Sequence, residues 1–88
     1  MIYPNPVSGG TFNLQITGMT ATDKVQVQLV TTVFRAVNQL TFHGEGPGTV
    51  TLTIPATDAS GVRLANGVYY VIVRTQGARL ALKLLVLG

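Results

Sequence analysis

Three stretches of the chain alternate apolar and polar residues with a period of two, the pattern of strands that bury one face. Phe12, Leu14 and Ile16 alternate with Asn13 and Gln15; Val25, Val27 and Leu29 with Gln26 and Gln28; Val50, Leu52 and Ile54 with Thr51 and Thr53. These predict strands over Thr11 to Thr17, Lys24 to Val30 and Thr49 to Ile54. Val33, Phe34, Val37 and Leu40 fit neither the strand nor the helix period, and are read as a turn near Thr32 to Arg35 and a strand from about Ala36 to Phe42. Val68 to Val73 is apolar on both faces, as a central strand covered on both sides would be. Gln76-Gly77 then reads as a two-residue hairpin leading into a partner strand, Ala78 to Leu87.

The connections carry the residues that break regular structure. Pro4 and Pro6, followed by Ser8-Gly9-Gly10, exclude helix from Tyr3 to Gly10, since proline fixes φ, lacks a donor and extends the residue before it. Gly18 to Asp23 reads as a loop of ordinary length, and His43-Gly44-Glu45-Gly46-Pro47-Gly48 as a strong breaker, with His43 inside the loop. Asp58-Ala59-Ser60-Gly61 and Ala65-Asn66-Gly67 are turn sequences, in which Asp or Asn bonds nearby backbone and Gly supplies positive φ. Val62 to Leu64, between them, reads as a short extended piece. No stretch shows a helical stripe. About seven short strands separated by such turns predict an all-β chain, an Ig-like antiparallel β-sandwich forming a single domain over residues 1 to 88, without the Cys-Trp-Cys pattern of true immunoglobulin domains.

Composition narrows the function more than the fold. Charged residues make up 10% of the chain, far below the roughly 25% of ordinary globular domains. Its surface therefore falls to Thr, Gln, Asn, Ser and Gly. The net charge of +3 comes from Lys24, Arg35, Arg63, Arg74, Arg79 and Lys83 against Asp23, Glu45 and Asp58. These are scattered, whereas nucleic-acid binding calls for clustered Lys and Arg, so no nucleic-acid partner is expected. Four of the six cations follow Val62, so the final hairpin is the candidate for a mildly basic face, the alternative being simply solvated strand edges. With no cysteine there is neither a disulfide framework nor a thiolate metal site. No run approaches the roughly 18 apolar residues of a membrane span. The start, Met1-Ile2-Tyr3-Pro4, has no charged and no apolar export region.

Catalytic constellations are not visible. The single histidine, His43, lies beside Glu45, far in sequence from Ser8 and Ser60, and three dispersed acids offer no carboxylate pair flanking a cleft. Asp58 with loop carbonyls is the nearest approach to a calcium site, but the sequence fits an Asp-capped turn better. No cofactor, metal or catalytic residue is therefore expected, and the chain is read as not an enzyme. Tyr69 and Tyr70 must point to opposite faces of one strand. One is core, and the outward ring is the best residue for stacking on a sugar.

Six segments in order, Tyr3-Pro4-Asn5-Pro6, Gly10-Thr11-Phe12, Val25 to Leu29, Asp58-x-Ser60-Gly61, Leu64-Ala65-Asn66-Gly67-Val68-Tyr69-Tyr70-Val71 and Lys83-Leu84-Leu85-Val86-Leu87, resemble the C-terminal sorting domain of the type IX secretion system. The second half also resembles the Ig-like domain of flagellar hook-capping proteins and related modules appended to bacterial hydrolases. In those relatives an Asp-x-x-Gly-Arg turn commonly follows the second apolar strand. Here Thr31-Thr32-Val33-Phe34-Arg35 lacks both the Asp and the Gly.

The resemblance implies a non-catalytic domain at the end of a larger secreted protein, with its cargo covalently linked upstream. Its partners would be the outer-membrane secretion machinery and a surface sortase, and its location the bacterial cell surface. The residues carried over for partner recognition are Asn66, Gly67, Val68 and Tyr69 with Lys83, Leu84, Leu85, Val86 and Leu87. A terminal strand with an exposed edge suits pairing with a receptor strand, or with a second copy as a homodimer. The alternatives are an adhesion or carbohydrate-associated accessory module of an extracellular hydrolase, and a structural Ig-like domain of a surface assembly.

Overall fold

The computed structural model describes residues 2–19, 24–43, 48–75 and 78–87. Among these residues seven strands run in chain order: β1 (Ile2–Tyr3), β2 (Thr11–Met19), β3 (Lys24–Thr31), β4 (Ala36–His43), β5 (Gly48–Pro55), β6 (Gly67–Thr75) and β7 (Ala78–Val86). They form two sheets, one in the order β1-β2-β5 and the other β4-β3-β6-β7. Every strand pair is antiparallel. This is the β-sandwich that the alternating pattern predicts.

The inward faces meet as the period-two pattern requires. Phe12, Leu14 and Ile54 from the first sheet pack with Val25, Val27, Leu29, Val71, Val73, Leu84 and Val86 from the second, and Val7, Ala56 and Leu64 close one end. No buried side-chain nitrogen or oxygen among the described residues lacks a partner. The core is apolar throughout, so its stability comes from area removed from water, about 25 cal/mol per Å².

Three expectations change. The seventh strand is Ile2–Tyr3, paired with Leu14 and Asn13, whereas Val62 to Leu64 contributes only an isolated bridge between Thr57 and Arg63. His43 is the last residue of β4, held by pairing with Lys24, and not a loop residue. Gly18 and Met19, read as the start of a loop, instead close β2; the rest of that loop, Thr20 to Asp23, lies outside the described residues, as do residues 44–47 and the predicted Gln76-Gly77 hairpin.

The unusual turn after β3 keeps a tight geometry with substitute residues. The Thr31 hydroxyl accepts the Arg35 N–H at 3.2 Å, the Thr31 N–H donates to the Arg35 carbonyl at 2.9 Å and the Phe34 N–H to the Thr31 carbonyl at 2.9 Å. Phe34 itself takes φ +62°, a left-handed conformation that glycine adopts freely and a bulky residue does not. Its ring stacks on Tyr70, with centroids 6.1 Å apart and planes at 13°.

Candidate functional site

The two segments singled out from the sequence lie side by side. In the β6–β7 ladder Gly67 pairs with Val86, Val68 with Leu85, Tyr69 with Leu84 and Tyr70 with Lys83. Gly67 has φ +154°, with nothing near the position a Cβ would take, so the backbone and not space demands glycine there. Alternation then divides the set. Leu84 and Val86 are fully buried, and Tyr69 packs against the core while its hydroxyl donates to the Ala65 carbonyl at 2.8 Å. Lys83, Leu87 and Asn66 are exposed, and Val68 and Leu85 are half-buried on the outer face of the four-stranded sheet. Tyr70 is the outward tyrosine, already stacked on Phe34.

A feature that local pattern did not disclose is what covers the edge of β7. The Asn5 side chain takes the place of a strand residue: its Nδ2 donates to the Lys83 carbonyl at 3.0 Å, and its Oδ1 accepts the Leu85 N–H at 3.0 Å. Two residues on, the Val7 N–H donates to the Leu85 carbonyl at 2.8 Å and the Leu87 N–H to the Val7 carbonyl at 2.9 Å, giving a parallel bridge to Val86. The Val7 side chain is fully buried. The chain start thus pairs with β2 through Ile2–Tyr3 and with β7 through Asn5–Val7, so it ties the two sheets together along one seam. Both X–Pro bonds in this stretch, Tyr3–Pro4 and Asn5–Pro6, are cis. The Tyr3-Pro4-Asn5-Pro6 segment was visible in the sequence as a motif, but its partner lies 78 and 80 positions away.

The loop between β5 and β6 is organised by Asp58. Its Oδ1 accepts the Ser60 hydroxyl at 2.7 Å, the Ser60 N–H at 2.9 Å and the Val62 N–H at 3.0 Å. Gly61 at φ +88° allows the reversal. These donors, the Ser60 hydroxyl first and the Val62 N–H next, hold the carboxyl below its ordinary range. The oxygen that a cation would need is thereby engaged in the turn itself. No group of three or more metal-ligating side chains occurs among the described residues. His43 is exposed at the end of β4, beside a groove between the β4 and β5 edges lined by Phe42, Val50 and Leu52. The arrangement offers surface and strand edge for recognition.

The family model described as "Secretion system C-terminal sorting domain" matches residues 1–87. A comparison with curated proteins returns no match. Among solved structures, dimeric latent PorU from Porphyromonas gingivalis superposes with a TM-score of 0.78 over 100% of this chain, at 23% identity. The likeness covers 9% of that protein's chain and supports the fold.

Proposed function

Because this chain belongs to the family of secretion system C-terminal sorting domains, which direct cargo proteins through type IX secretion, we propose that it carries out no chemistry of its own and is read as a folded address at its terminal strand pair. Proteins with such domains are secreted and held at the cell surface or outer membrane. The observation that carries the finer reading is the register that sets Gly67, Val68 and Tyr69 against Val86, Leu85 and Leu84. The two carried-over segments are thereby neighbours on one strand pair. Leu84, Val86 and Tyr69 then act by holding the strand in place, while Asn66, Val68, Lys83, Leu85 and Leu87 are the residues a partner can touch. The partners in this reading are the outer-membrane secretion machinery and a surface sortase, with the cargo covalently linked upstream.

The test is a periplasmic reporter fused ahead of this chain in a type IX-competent host. Surface delivery is expected with the domain and is lost when Leu80 to Gly88 is removed; continued delivery after that deletion refutes the reading. Since the deletion also strips Leu84 and Val86 from the core, Leu87→Asp is the companion variant. It changes an exposed position, so delivery should fall while the melting curve stays at that of the wild type.

A further inference from the structure

The covering of β7 by the chain start is partial, and its limits define a docking site. On this strand the outward backbone groups belong to odd-numbered residues, as the bonds from Lys83, Leu85 and Leu87 to Asn5 and Val7 demonstrate. Even-numbered residues face β6. By that alternation the N–H and C=O of Arg79 and Ala81 and the N–H of Lys83 also point away from the sheet. Asn5 ends its cover at the Lys83 carbonyl. Five residues of strand edge, a length of roughly 17 Å, therefore present main-chain donors and acceptors to solvent.

The two faces of this open stretch differ in chemistry. On the outer face stand Arg79 and Lys83, with Arg74 directly across from Arg79 in the register and Tyr70 across from Lys83. Like charges set opposite each other on a sheet are unfavourable, and among the described residues no acid stands beside them: Asp58, the one acid so described, sits in the β5–β6 loop. On the inner face stand Leu80, which is 46% exposed, and the half-buried Leu82. Their register partners Val73 and Val71 are buried, so the core runs out to an uncovered leucine at this edge.

We propose that the Arg79–Lys83 edge of β7 docks an extended segment of a protein partner that alternates acidic with apolar residues. Its main chain continues the sheet, its carboxylates meet Arg79, Lys83 and Arg74 outside, and its apolar side chains cover Leu80 and Leu82 inside. A second copy of this chain is the poorer occupant, because antiparallel pairing about Ala81 sets Arg79 against Lys83 of the copy, cation on cation. That the partner belongs to the secretion machinery rests on the function proposed above; the chemistry of the edge does not.

The experiment titrates the isotopically labelled chain with a nine-residue peptide alternating Glu and Val, and with the same peptide carrying Lys for Glu, followed by amide NMR. Shifts confined to Arg79–Lys83 and its β6 neighbours are expected with the Glu peptide alone. Ala81→Pro, which removes an outward N–H and no ladder bond, should abolish them with the melting curve unchanged. The double variant Arg79→Glu, Lys83→Glu should weaken binding by about tenfold or more, whereas Lys24→Glu should not. Equal binding of the Lys peptide, shifts at other edges, or no binding at millimolar peptide overturns the proposal. So does a concentration-dependent dimer that Ala81→Pro abolishes, which assigns the edge to a second copy. The same variants are scored for reporter delivery. If the wild type is delivered and the folded edge variants are delivered equally, the edge inference falls and the sorting reading stands; if the wild type is not delivered, sorting falls while the titration still reads the edge.

Discussion

Replacing Asn5 by Ala removes the side chain that ties the chain start to the last strand, and the structure sets how much this should cost. Two hydrogen bonds are lost, each of 3.0 Å and both at exposed positions. A net contribution of about 0.5–1.5 kcal/mol per bond applies, at the low end where water replaces the lost partner. Val7 keeps its two backbone bonds and its place in the core, so the segment stays anchored and the loss is bounded. About 1–2 kcal/mol is expected, which for a domain of this size is a fall in melting temperature of roughly 5–15 °C. Thermal and urea unfolding by far-ultraviolet circular dichroism measure it, with an unchanged urea slope showing that the denatured state is the same. Asn13→Ala is the matched control, since Asn13 accepts one exposed bond, from the Thr53 hydroxyl at 3.2 Å; it should cost under about 0.5 kcal/mol. Hydrogen exchange adds a local readout: the Leu85 amide should lose protection in Asn5→Ala, while the Leu87 amide, bonded to Val7, should keep it. Equal losses in the two variants, or a protected Leu85 amide, would refute the argument that Asn5 acts as a strand residue.

Phe34→Gly should be more stable than Phe34→Ala by about 1 kcal/mol, because both lose the stack on Tyr70 but only Ala retains the left-handed strain; equal urea midpoints would show that the turn is unstrained. Leu14 and Leu52 pair across β2 and β5, yet Leu14 is fully buried and Leu52 half-buried. Leu14→Ala should therefore cost about 2–5 kcal/mol and Leu52→Ala clearly less, an order that a pair of denaturation curves can reverse. The Asp58 carboxyl is held below its ordinary value by the Ser60 hydroxyl and the Val62 N–H, so its contribution is present above the unfolded value of about 3.9 and is lost as pH falls through the lowered folded value. Asp58→Asn should thus shrink the difference in urea midpoint between pH 7 and acid; an identical acid-induced loss in both proteins contradicts that assignment.

Much of the sandwich was legible in the sequence because strand periodicity is local. The alternations in Thr11 to Thr17, Lys24 to Val30 and Thr49 to Ile54 fall inside β2, β3 and β5, and the Asp58-Ala59-Ser60-Gly61 turn forms through bonds among neighbours. The family motifs were legible too. What they touch was not: Leu84 and Val86 are core residues by the parity of β7, a distinction invisible in the run Lys83 to Leu87. The turn at Thr31 to Arg35 lacked its usual Asp and Gly, and only the folded backbone shows Thr31 and Phe34 filling those places.

By itself, the sequence determined the strand segments, the turn chemistry and the family, since each is written in residues at most a few positions apart. Tertiary structure alone decided which edges are open. Whether Ile2–Tyr3 or Val62 to Leu64 became the seventh strand, and whether Leu14 or Leu52 was sealed from water, depended on which strands ended up adjacent. Above all, the cover that Asn5 and Val7 lay over β7 up to the Lys83 carbonyl joins residues from opposite ends of the chain. A hydrogen bond of that separation leaves no local periodicity to read, so the free edge at Arg79–Lys83 became visible only once the fold had closed around it.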